Sequence, residues 1–115
     1  MAETLLFQGV AVNPANGLRL RLGHNVETLG AGKTMTPQDA QVQLLDPDSG
    51  TRIVTMPDVD ASQGAFFVFR NTGAGTLSIT HVASSLDEDL DANRVGMYAC
   101  DGSTWASALG VVTWA

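Results

Sequence analysis

From Gln41 to Trp105 the chain is a run of short β-type segments, each closed by Asp, Gly or Asn turn residues: QVQLLDPDSGTRIVTMPD, then GAFFVFRNTGAGTLSITHV, then VGMYACDGSTW. Two-residue alternation recurs through this stretch, and no long 3.6-residue apolar period competes with it. A helical bundle is thereby excluded and an all-β fold is expected. Gln41–Asp46 and Thr51–Met56, joined by Pro47-Asp48-Ser49-Gly50, predict a hairpin with Val42 and Leu44 on one face. Pro57 ends the second strand, because it has no N–H for the ladder. Ala65–Asn71 is nearly continuous apolar sequence and predicts a strand buried on both faces. Asn71-Thr72-Gly73-Ala74-Gly75 is a turn, and Thr76–Val82 alternates, with Leu77 and Ile79 inward and Thr76, Ser78 and Thr80 outward. Leu86–Asn93 reads as an acidic loop. Val95–Cys100 and Ser103–Trp105 flank an Asp101-Gly102 hairpin turn, and Val111–Trp114 supplies a last short strand.

The N-terminal third is less regular. Thr4–Val12 is apolar and β-branched enough for one strand, with Gly9 as a bulge. Asn13–Gly17 is a turn. Leu18–Leu22 alternates strictly, placing three leucines on one strand face and Arg19 and Arg21 on the other. Gly23–Thr36 keeps no period and reads as a long loop with a short strand, or as a projecting arm. Thr36-Pro37-Gln38-Asp39 is a turn or one helical turn, and Asp58–Gly64 is a polar link, with or without one helical turn. About nine short strands with regularly spaced turns indicate a β-sandwich or barrel. No repeat period and no long linker divides the chain. It reads as one domain, with strands or an arm over residues 1–40 and a β core over residues 41–115.

Charge and cysteine content narrow the function classes. Twelve acids against six bases leave a formal net charge of -6, so the long-range field repels nucleic acid and anionic membranes. No apolar stretch approaches the length needed to span a bilayer, and MAETLLFQGVAV lacks the basic flank of a secretory leader. The single cysteine, Cys100, allows no intrachain disulfide and is expected to be a small buried strand residue.

No chemical motif in the chain is complete. Asp87-Glu88-Asp89-Leu90-Asp91 could attract calcium but lacks the glycine hinge and spaced ligands of a calcium loop, so a solvated surface is the better reading. Asp46-Pro47-Asp48-Ser49-Gly50 is better read as a turn. Asp39, Asp58 and Asp60 sit where Asp bonds its own backbone, and nothing selects a catalytic pair among them. Gly30-Ala31-Gly32-Lys33-Thr34 resembles the end of a phosphate loop, but position 27 is Glu where that loop needs Gly. No catalytic residue, metal ligand or cofactor site is expected. Trp105 is expected in the core. Trp114, beside Val111 and Val112, is expected to pack on a neighbouring subunit.

The order of the pieces LLDPDSGTR-V-MP, FFVFRNTGAGTLSI and CDGSTW resembles small β modules of tailed-bacteriophage virion proteins, over a little more than half the chain. Such modules occur in head decoration (cement) proteins and in tail or fibre proteins. The resemblance implies a non-enzymatic capsid decoration protein that binds and stabilises the assembled head. Its implied partner is the major capsid protein of the same virus. A homotrimer, made in the host cytoplasm and resident on the virion, is implied as well. Leu5, Leu6, Phe7, Arg19, Arg21 and Trp114 are the expected partner contacts. The alternative is a tail or fibre module that binds a host surface glycan through exposed aromatics. A small glycosidase is a third reading, resting on the abundance of Asp alone.

Overall fold

β-branched and alternating runs become strands almost wherever they occur. A computed structural model describes residues 22–108, together with the backbone of short strands at 5–7, 10–12 and 112–113. The strands are β1 (Leu5–Phe7), β2 (Val10–Val12), β3 (His24–Thr28), β4 (Lys33–Thr34), β5 (Val42–Asp46) and β6 (Thr51–Thr55). They continue as β7 (Phe66–Asn71), β8 (Thr76–His81), β9 (Leu86–Leu90), β10 (Arg94–Cys100), β11 (Trp105–Ser107) and β12 (Val112–Thr113). Two single turns of 3-10 helix, Val59–Ala61 and Val82–Ser84, are the only helical pieces among the described residues. The fold is therefore all-β, as expected. One mixed sheet has the order β11-β10-β7-β5-β3, with β12 also on β10, and a second has the order β4-β6-β8-β9.

The hairpin expected over Gln41–Met56 does not form, and the turn at Asn71–Gly75 closes none either, whereas the one expected at Asp101-Gly102 does form, β10 with β11. β5 lies in the first sheet and β6 in the second, and β7 and β8 divide in the same way. β3, β5 and β7 pair in parallel, and so do β4, β6 and β8. Each of the segments β3–β4, β5–β6 and β7–β8 is thus an arch that carries the chain from one sheet to the other, and the three arches stack. β9 pairs antiparallel with β8 and β10 antiparallel with β7, so β9–β10 forms a fourth layer running in reverse. Hydrogen bonds between neighbouring arcs replace those a hairpin would make within itself. The amides of Thr72, Gly75 and Thr76 donate to the carbonyls of Leu45, Asp48 and Gly50 at 2.9, 3.0 and 3.0 Å. Within the second arc, Asp46 Oδ1 accepts from the Asp48 amide at 2.7 Å, and Asp48 takes a φ of 63°. A local Asx turn and a positive φ serve a hairpin and an arch equally well. For that reason the turn positions are read correctly from the sequence, and the pairing of β5 with β6 is not.

The stacking also exposes a degenerate repeat. Gly50-Thr51-Arg52-Ile53-Val54-Thr55 lies in register beside Gly75-Thr76-Leu77-Ser78-Ile79-Thr80. Sequence identity survives only at the glycine and the threonines, too sparse for a period to be noticed.

Other expectations are corrected in detail. Thr4–Val12 is two strands paired antiparallel, Leu5 with Val12 and Phe7 with Val10, and not one bulged strand. Leu18–Leu22 lies outside the described residues except Leu22, which forms an isolated bridge. Gly23–Thr36 contains β3 and β4, the first layer of both sheets. Leu86–Leu90 is a strand and not an acidic loop: Asp87 and Asp89 face solvent, while Leu90 is fully buried and Leu86 and Glu88 are half-buried. The acids alternate, which suits a strand with one wet face. In β5 the buried residues are Gln43 and Leu45, and Val42 and Leu44 are half-buried on the other side.

Both sheets contribute to one core: Leu45, Phe67, Phe69, Tyr98, Cys100 and Trp105 from the first, and Val54, Leu77, Ile79 and Leu90 from the second. Cys100 is buried, as expected. Trp105, Phe67, Phe69 and Tyr98 form a chain of tilted rings with successive centroids 5.8, 6.1 and 5.9 Å apart. Offset ring contacts of this kind add to the area they bury. Trp105 is 1% exposed, and its Nε1 donates to the Pro57 carbonyl at 2.8 Å. Its expected core role is met.

Candidate functional site

Three kinds of surface are candidates: the residues expected to contact a partner, a polar groove, and the outer face of the first sheet. Leu5, Leu6 and Phe7 form β1, whose backbone pairs with β2 in a sheet of two strands. Arg19, Arg21 and Trp114 lie outside the described residues. The structure therefore places three of the six expected contacts on one strand and leaves their union with the others undescribed.

The titratable side chains are mostly engaged in holding turns and layers together. Asp39 Oδ2 accepts from the Thr36 amide at 2.8 Å, closing the Thr36–Asp39 turn. Asp101 Oδ1 accepts from the amides of Ser103 and Thr104 at 2.8 and 2.9 Å, and these bonds hold its carboxyl below the usual range. Glu88 points inward to accept a hydrogen bond from the Tyr98 hydroxyl and another from Ser107 Oγ at 3.3 Å. Burial, reinforced by the Glu88 carboxylate, raises the Tyr98 phenol well above its ordinary value. The Ser84 hydroxyl contacts His81 Nδ1 and accepts from the Trp105 amide, both at 2.8 Å, tying the second 3-10 turn to β11. Among the described residues, no group of three or more His, Cys, Asp or Glu side chains gathers to hold a metal.

A groove of about 720 Å³ opens where the arches return, between Pro37–Gln41 and Ala61–Phe67. Two polar atoms on its walls, Gln41 Oε1 and Ser62 Oγ, are buried without a hydrogen-bond partner, and Ser62 is 2% exposed. Buried polar atoms of this kind ordinarily find a partner, protein or otherwise. Asp39 is the one charged side chain on the lining, beside Gln38, Gln41 and Gln63, with Phe66 and Pro37 as apolar walls. Amides, a hydroxyl and a ring, with no cation, fit a neutral hydroxyl-bearing ligand better than an anion. Sequence reasoning missed this groove, because its residues come from two return segments read only as linkers.

The outer face of the first sheet follows from strand register. His24, Val42, Val68 and Met97 form one row across β3, β5, β7 and β10, and Val26, Leu44, Arg70 and Val95 form the next. Phe66 stands beside Ala99 at one end. Val26 is 69% exposed. The outer face of the second sheet is different in kind, with Thr51, Ile53 and Thr55 on β6, Thr76, Ser78 and Thr80 on β8, and Asp87 and Asp89 on β9. The first face is partly legible in the sequence, since Phe66–Phe69 is apolar at every position. Its extension to β5 and β3 depends on parallel pairing that the sequence does not display.

No family model matches this chain, and neither does any curated protein or solved structure. No helix among the described residues is long and apolar enough to cross a membrane.

Proposed function

We propose that this protein is a structural component of a tailed-bacteriophage virion, a head decoration protein that binds the assembled shell and works by contact, without turnover. The reading joins the resemblance in LLDPDSGTR-V-MP, FFVFRNTGAGTLSI and CDGSTW to one structural observation. Short arches, cross-bonded arc to arc, build a stiff support whose first sheet turns an apolar face outward. In this reading the two sheets pack face to face as a sandwich, the chain assembles as a homotrimer, and its partner is the major capsid protein. Leu5, Leu6, Phe7, Arg19, Arg21 and Trp114 are the proposed contacts. A protein that binds the assembled shell and not its separate subunits stabilises the shell by mass action, and symmetry repeats each small contact many times. The test is copy number in purified particles, by quantitative mass spectrometry against the major shell protein. A ratio near that of the shell protein is expected, and absence from particles overturns the reading.

A second reading, a tail or fibre module that binds a host glycan, is favoured by the groove with its two unpartnered polar atoms. A few copies per particle, together with glycan binding lost in Ser62→Val, would replace the first reading with this one.

A further inference from the structure

We infer, independently of the virion reading, that the first arch is a stop: the Glu27–Lys33 ion pair laid across it keeps a β-arch of a second copy from adding to the stack.

Strand register carries it. Among the described residues both main sheets end at this arch, the first at β3 and the second at β4, each with a neighbour on one side. Strand edges of this kind, with unpaired amides and carbonyls, are a template for a further layer. The interior of the arch is what differs from the layers behind it. Down the stack, Glu27 stands over Leu45 and Asn71, and Lys33 over Val54 and Ile79. Leu45, Val54 and Ile79 are fully buried. Of the three parallel arches, only the first carries charge at both of these positions, and the two charges are joined at 2.8 Å. The Asn25 side chain donates to Glu27 Oε1 at 3.1 Å and to Gln43 Oε1 at 2.9 Å, holding the pair against β5. The Glu27 and Lys33 side chains are 40% and 20% exposed, whereas Leu29 and Met35, which flank them in sequence, are buried. The described end of the apolar column is thus polar.

A further parallel arch laid on the first would cover both charges. Covering an ion pair strips each charge of water, a loss that their mutual attraction often does not offset. A layer laid on Leu45 and Val54 buries apolar surface instead, which favours stacking. The edge is blunted further by its length: β4 has two residues, and one of them is Lys33. Short edge strands, lysine and inward-pointing charge are features by which sheet edges resist pairing with other chains. Stacked repeat proteins end in a comparable way, on a terminal layer with a polar outer side. At the other end the chain closes itself, because the β9–β10 layer runs in reverse and β9, the far edge of the second sheet, carries Asp87, Glu88 and Asp89.

The test compares three full chains: wild type, Glu27→Leu/Lys33→Val, which continues the Leu45 and Val54 columns to the end of the stack, and the exchanged pair Glu27→Lys/Lys33→Glu. Sedimentation velocity over a wide concentration range reads size, and fibre diffraction reads the ~4.7 Å strand spacing of any elongated product. Wild type and the exchanged pair are expected to keep a finite size. The apolar variant is expected to elongate, at concentrations at least about tenfold below any that elongate wild type. Thermal melts report whether each fold is intact. A folded apolar variant of the same finite size as wild type overturns the inference, and so does elongation by the exchanged pair. Aggregates that have lost the melting transition overturn it as well, because folded arches are what must stack. Particle copy number does not enter, so the virion reading stands or falls separately.

Discussion

Gly75 lies so close over Gly50 that a Cβ on it would overlap the Gly50 carbonyl oxygen. The third arch rests there on the second, with the neighbouring Thr76 amide bonded to that same oxygen at 3.0 Å. Gly75→Ala must push two backbones apart, a change expected to cost about 1–3 kcal/mol, as overpacking does. Gly30→Ala, in the first arc with no atom within 4 Å of the new Cβ, should fall within about 0.5 kcal/mol of wild type. Urea denaturation of the two variants checks the contrast. Equal stabilities would mean the arches do not stack as described.

Asn71 staples the third arch to the β9–β10 layer. Its Nδ2 donates to the carbonyls of Gly75 and Leu90 at 2.7 and 2.8 Å, and its Oδ1 accepts from the Gly73 amide at 2.8 Å. The side chain is fully buried. Asn71→Ala leaves those groups without this partner, and each buried polar group so orphaned costs about 1–3 kcal/mol. Asn71→Asp keeps the acceptor but cannot donate to either carbonyl while ionised, so it should be no better near neutral pH. Chemical denaturation of both variants decides this, and a mild effect from Asn71→Asp would show that the acceptor alone matters.

The places where the chain turns are legible in the sequence, and what each strand pairs with is not. Pro47–Gly50, Asn71–Gly75 and Asp101-Gly102 all separate strands as read. Asp101-Gly102 does join a hairpin, β10 with β11, with Gly102 at a φ of 94°. The other two turns join different sheets, because Asx and glycine geometry is local whereas parallel pairing is decided by residues far apart in sequence. The candidate site suffers in the same way. Val26, Leu44 and Arg70 come into one row through β3, β5 and β7, and no local pattern announces it.

Tyr98 makes stability depend on pH at the alkaline end. Burial first, then the Glu88 carboxylate, raises the folded phenol above its ordinary value of 10.0. A raised folded pKa contributes stability that is fully present below the unfolded value and is lost as pH rises beyond it. Wild type should therefore lose melting temperature above about pH 10 by more than Tyr98→Phe does. Parallel slopes for the two proteins would remove Tyr98 as the cause.

Glu27 acts at the acid end, and weakly. Its hydrogen bond to Lys33 Nζ at 2.8 Å joins β3 to β4, and Lys33 first, then Asn25, holds the carboxyl below its ordinary 4.5. A lowered folded pKa gives stability that is present above the unfolded value and lost as pH falls through the folded one. The Glu27 side chain is 40% exposed, so screening limits the pair to about 0.2–1 kcal/mol. Lys33→Met should melt slightly below wild type at neutral pH, and the two melting temperatures should converge in strong acid. A difference that persists in acid would point to lost packing of the lysine stem instead.

Removal of residues 1–12 separates scaffold from contact. β1 and β2 pair with each other in a sheet of their own, and the ladders of both main sheets are formed without them. An isolated two-stranded hairpin is marginally stable in water, so its removal should cost the rest of the fold little. The truncated chain should melt within about 4–8 °C of the full one, the shift that 1 kcal/mol produces in a domain of this size. If Leu5, Leu6 and Phe7 make the proposed contact, the truncated chain should no longer co-sediment with expanded capsids that the full chain binds. Undiminished co-sedimentation by a folded truncation would move the contact off the hairpin. A collapse in melting temperature would instead make the hairpin part of the scaffold.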